Sequence, residues 1–235
     1  MTKIIFYPKD ENVKRFISPP KPISVPEWFK KIPQYQEYDG VRENKIVLNG
    51  TVTNLSVKAC MPFLDSLKSG YAFHLTNDIV VKQINGVPSM FSKKTDMDIE
   101  EVVERSNPNF PTWDGFDNLN FSWKSHWGIK TPKGYSCLFT HPLNRTDLPF
   151  LTTSGIMDTD EWGLWGNQPF SIQTGFEGII PAGTPIIHFF PFKRENWESE
   201  IDDSFYNWSK IEEEKKSLHI KGYYKNNFWK KKEYK

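Results

Sequence analysis

The sequence predicts a mainly β domain with a proline-rich N-terminal arm and peripheral helices, one of them C-terminal. Three observations predict it. Short apolar runs bounded by Gly or Pro recur through residues 45–194, Asn-Gly pairs stand at Asn49-Gly50 and Asn85-Gly86, and sustained helical spacing of apolar residues occurs only over 198–218. Asn and Gly both tolerate positive φ, so Asn-Gly between apolar runs is a strong hairpin signal.

Taken in order, residues 1–40 form the arm. An apolar opening (Ile4, Ile5, Phe6) leads into Pro19, Pro20, Pro22, Pro26 and Pro33. Proline fixes φ and removes donors, so the arm lies over the surface, with one helical turn at 27–31 pinned by Trp28 and Phe29. The β core spans 45–194. Within it, residues 95–105 place acids ahead of Val102 and Val103, with Thr95 or Asp96 as N-cap, and read as a short helix. Residues 107–128 read as a long ordered loop held by Trp113, Phe116, Trp123 and Trp127. Strands follow at 134–139, 149–157 and 178–192. Residues 195–235 give an amphipathic helix, with Phe205, Trp208, Ile211 and Leu218 on its apolar side, and then a basic, aromatic tail. A chain of 235 residues fits one elaborated domain.

Composition excludes several classes. The net charge of +1 argues against bulk binding of nucleic acid. No apolar run approaches the roughly 18 residues a membrane helix needs, and the first ten residues lack a signal-peptide core, so a cytoplasmic address is expected. Cys60 and Cys137 lack CxxC spacing and are expected to be buried, reduced thiols. No Ser-His-Asp, Walker or GxGxxG signature is present, and His74, His126 and His141 lack the spacing of an iron triad.

Three segments carry a resemblance. Ser69-Gly70-Tyr71-Ala72-Phe73 with Asp78-Ile79-Val80-Val81 is similar to the opening AGYDLYA motif of dUTPases. Pro142-Leu143-Asn144-Arg145-Thr146, running into Gly155-Ile156-Met157-Asp158-Thr159-Asp160, resembles their phosphate loop and GVIDSDY strand. Ile180-Pro181-Ala182-Gly183-Thr184-Pro185-Ile186-Ile187-His188 resembles their IxxGxRIAQLVF strand. The stretch 58–194 thus resembles the dUTPase and dCTP deaminase superfamily, which implies a β-clip barrel, a homotrimer, and binding of a nucleotide with phosphoanhydride hydrolysis. By that resemblance Asp158 is the catalytic base and Arg145 and Thr146 hold phosphate. His188 adds a donor, Tyr71 or Trp162 stacks on a base, and Asp160 supports Mg2+. Three departures stand against catalysis: the first motif lacks its Asp, Pro185 replaces an Arg, and the tail has only Gly222 where a Gly-rich arm is usual. The chain also resembles a tailed-phage protein family through its KxCMPFxDxLxxGY and PLNR segments, which implies host cytoplasm or association with the virion.

Each candidate has a second reading. Asp158 and Asp160 also suit a β-turn, Arg145 an ion pair with Asp147 or Asp158, and His188, within an apolar run, a satisfied core position. The lysines and rings of the tail suit either a strand-tracking groove or a solvated, packed segment. The competing function is a non-catalytic structural or interaction protein that keeps the fold.

Overall fold

The computed structural model describes residues 2–37, 46–48, 51–92, 100–105, 111, 113–164, 166–218 and 222–235. Its contacts gather into two compact units, Met1–Ile23 with Ser69–Arg194 and Tyr234–Lys235, and Ser24–Lys68 with Glu195–Glu233. The chain is mainly β, and every strand pairing among the described residues is antiparallel. No sheet closes into a barrel among those residues.

The larger unit is organised by the strand Pro185–Lys193. It lies at the centre of a five-stranded sheet, between Tyr135–Thr140 and Tyr71–His74, with Gly155–Met157 and Lys21–Pro22 at the edges. Ile186, Ile187, His188 and Phe189 are buried in succession, as expected of a strand covered on both faces rather than one. A four-stranded sheet (Phe150–Thr152, Asn167–Gln173, Phe116–Lys124, Val102–Arg105) supplies Trp123 and Phe170. Their rings stack 3.6 Å apart at 5° in the core. A three-stranded sheet (Gly178–Ile180, Ile79–Ile84, Val87–Ser92) shows simple alternation, with Ile79 and Val81 inward and Lys82 outward. Its hairpin turns at Asn85 (φ 53°) and Gly86 (φ 77°), as the Asn-Gly signal predicts. The first Asn-Gly pair lies outside the described residues, although Leu48 and Thr51 on either side of it are paired.

Four expectations are corrected. Val102–Arg105 is a strand, not the end of a helix, because the β-branched Val102 and Val103 pair with Trp123 and Ser122; residues 95–99 lie outside the described residues. The expected loop 107–128 contains the nine-residue strand Phe116–Lys124, whose Trp123 is fully buried. The N-terminal arm contributes to the core: Ile5–Pro8 pairs with Trp127–Lys130, and a helix Glu11–Phe16, capped by Asp10, buries Val13. Cys60 is exposed, while Cys137 is buried.

In the smaller unit, helices Glu27–Lys31 and Met61–Lys68 pack through Phe29 and Phe63, whose ring centroids lie 6.0 Å apart. The tail is anchored by Asp65, whose Oδ2 accepts from Trp229 Nε1 at 2.8 Å and Lys232 Nζ at 2.6 Å. The expected amphipathic helix is Tyr206–Ser217, none of whose residues is buried, and a second short helix, Tyr223–Asn227, follows it in the tail.

Candidate functional site

The predicted site residues fall into two clusters at opposite ends of the strand Tyr135–Thr140. Ser136 holds Asp158, whereas Thr140 lies opposite His188. Four residues of strand, about 13 Å at about 3.3 Å per residue, separate them.

The first cluster is built on Arg194, which follows the central strand. Its guanidinium donates to Asp160 Oδ1 at 2.7 Å and Oδ2 at 2.5 Å, to Asp158 Oδ1 at 3.2 Å and to Ser136 Oγ at 3.0 Å. Gly134 N–H adds a bond to Asp160 Oδ2 at 2.7 Å. The Arg194 hydrogen bond, reinforced by the Gly134 amide, holds the Asp160 carboxyl far below the ordinary carboxylate range against the opposing effect of burial. The bidentate fork is the strong form of this pairing. A cation at Asp160 would have to displace Arg194, whose fork occupies both carboxylate oxygens. Asp160 therefore does not fit a magnesium ligand. Asp158 differs: its side chain is 60% exposed and only its Oδ1 is engaged by Ser136 and Arg194. Its backbone carbonyl accepts from Glu161 and Trp162, which closes the turn that carries both acids.

Asp160→Asn is expected to lower the melting temperature at neutral pH. A carboxylate held below its ordinary value stabilises the fold above that value, about 3.9, and gives the stabilisation up as pH falls further. The deficit of the variant should therefore shrink below about pH 3.9. An unchanged melting temperature at pH 7 would show that the pair holds nothing.

The second cluster contains Arg145 and three histidines. Arg145 grips Asp147 through Nε at 2.7 Å and Nη2 at 2.8 Å. Thr146 beside it is exposed. His188 is completely buried, with Nε2 2.6 Å from Ser69 O and Nδ1 3.4 Å from Leu143 N. These partners assign the neutral tautomer with the proton on Nε2. Burial, against the Ser69 bond and with a smaller contribution from His141, pushes His188 down to about 4. Gly70 sets up this contact: at φ +83° it turns the chain into Tyr71–His74, and a Cβ there would lie 2.6 Å from Phe189 O. Burial likewise lowers His74 to about 4 and lowers His141, with Arg145 opposing the charge on both. A neutral, doubly bonded His188 offers nothing to a phosphate.

The two predicted stacking residues part company. Tyr71 is core: its ring stacks on Phe189 at 5.8 Å and meets Phe6 and Tyr234 edge-on, so no face is presented to a base. Trp162 is 61% exposed. Cys137 is buried, and burial pushes its thiol up to about 11.

No family model and no curated protein matches this chain.

A concavity that sequence reasoning missed lies between the sheets. Its volume is about 150 Å³, with Phe73, Ile129, Phe139 and Ile187 as walls and Leu164 and Gln168 at the mouth. Those walls come from strands far apart in the chain, which is why no local motif announces it. No local motif marks Arg194, because its partner Asp160 lies 34 positions away.

Proposed function

We propose that this protein works by binding a partner rather than by nucleotide turnover, on a β-clip framework of the dUTPase-like kind. The recognition element is the apolar pocket, which receives one ring-sized side chain of a partner protein. The observation that carries this reading is the pocket's size and lining: about 150 Å³ is the scale of a cavity that holds a single benzene-sized ring. Sites for drug-sized ligands run to roughly 300–1,000 Å³. The exposed Ile156 and Leu164 at the mouth add apolar surface around that anchor, the anatomy of an interface hot spot. The internal pairing of Arg145, Arg194 and His188 supports the same reading, since these three donors already have acceptors within the chain.

A second reading, nucleotide binding at Asp158, draws on one observation: an exposed carboxylate with Oδ2 unengaged beside Arg194. One assay separates the two. Indole at millimolar concentration is expected to raise the melting temperature, as a ligand of the native state must, and Ile156→Arg at the mouth should abolish the shift. dUTP, dCTP and their diphosphates and monophosphates, with and without Mg2+, should give no shift. A nucleotide shift that disappears in Asp158→Ala or Arg145→Ala would overturn the first reading in favour of the second.

A further inference from the structure

The net charge of +1 hides two opposed blocks. Residues 195–214 carry eight acids and one lysine, and residues 215–235 carry eight lysines and one acid. Within the smaller unit much of this charge has no opposite partner. Among the described residues Glu198, Glu200, Asp203, Glu213 and Glu214 make no ion pair, and neither do Lys216, Lys225 and Lys230.

The acidic block, with the turn after it, is also the most apolar exposed segment among the described residues. Trp197 is 85% exposed and Ile201 96%, and Phe205, Trp208, Ile211 and Leu218 continue the exposure along the helix. The Phe205 and Trp208 rings, 6.4 Å apart, share one side. A helix of twelve residues is marginal in water without a packed face, yet Tyr206–Ser217 buries no residue in its own chain. Whole aromatic side chains bury about 150–250 Å² each, so these six residues offer on the order of 800 Å², which matches the roughly 800 Å² one partner gives to a standard stable complex.

We propose that residues 195–218 are a docking arm for a second copy of this chain, whose basic segment 222–233 receives it. A two-fold pairing makes each contact twice, with the acidic block of either copy on the basic block of the other. The apolar side chains supply the area and the charges set the direction, since the reverse alignment places like charges together. The chain itself carries both halves of the complement, in equal and opposite charge, which singles out a second copy as the occupant.

Sedimentation velocity of the full chain tests this. Between about 5 and about 100 µM at about 50 mM salt the mass should move from one copy to two, and about 500 mM salt should weaken association about tenfold or more as screening shortens. Trp197→Ser/Ile201→Ser/Phe205→Ser should remain a single copy at all these concentrations with an unchanged circular dichroism spectrum, because the residues are exposed. Glu213→Lys/Glu214→Lys and Lys225→Glu/Lys230→Glu should each associate weakly alone and more tightly when mixed. A single copy under every condition, association that survives the triple substitution, or a mass of three copies would each overturn the proposal.

Discussion

Trp123→Ala is expected to cost about 3–5 kcal/mol of folding stability, the range for deleting a fully buried large aromatic side chain. Trp123 is completely buried, stacks on Phe170 and meets Phe150 edge-on at 4.9 Å. Its Nε1–H donates to Thr152 Oγ1 at 3.0 Å, and that hydroxyl donates in turn to Ile186 O at 2.7 Å. One side chain thus ties the four-stranded sheet to the central strand. Truncation removes the ring contacts and leaves a cavity, while Trp123→Phe keeps most of the packing and forfeits the hydrogen bond, about 1 kcal/mol, together with part of the ring volume. Urea unfolding measures both, with an unchanged m value expected if only the native state is affected. A loss below about 1 kcal/mol for the alanine variant would contradict the packing account.

Acid should destabilise the protein before its carboxylates titrate. An unfolded histidine takes up a proton near 6.5, whereas His188 in its buried place does so at about 4. Between those values the unfolded chain binds the proton and the folded chain does not. Stability is therefore full above about pH 6.5, falls as pH drops through the window, and levels off below about 4, with roughly 3 kcal/mol lost to this group alone. His74 titrates in the same window. Unfolding curves from pH 8 to pH 4 should show the decline, and His188→Gln, which keeps a donor and an acceptor without a titrating ring, should reduce it and leave the share that His74 contributes. Constant stability between pH 7 and pH 4.5 would rule the mechanism out.

Local signals were legible in the sequence where local physics decides the outcome. Asn85-Gly86 fixed its hairpin through positive φ, and the helical spacing of 198–218 located the end of the helix Tyr206–Ser217, although that helix starts eight residues later than the spacing does. Signals failed where distant partners decide. The acid Glu101, which looks like the front of a helix, instead accepts from the backbone N–H groups of Thr76 and Asn77 at 2.6 and 2.8 Å, and the valines after it join a sheet. The same holds for the site. Arg145 with Asp147 two residues on was readable as an ion pair, but His188 finds Ser69 across 119 positions, and nothing in its neighbourhood names that partner.

The central position of Pro185–Lys193 has a consequence for biosynthesis. Its two neighbours, Tyr71–His74 and Tyr135–Thr140, leave the ribosome long before it does, and they are not paired to each other. Until Pro185–Lys193 has been made, both present open edges on the side that this strand will fill. Unpaired edges of this kind invite association with other nascent chains. Growth temperature and translation rate should thus govern the soluble yield of this protein more strongly than its final stability does.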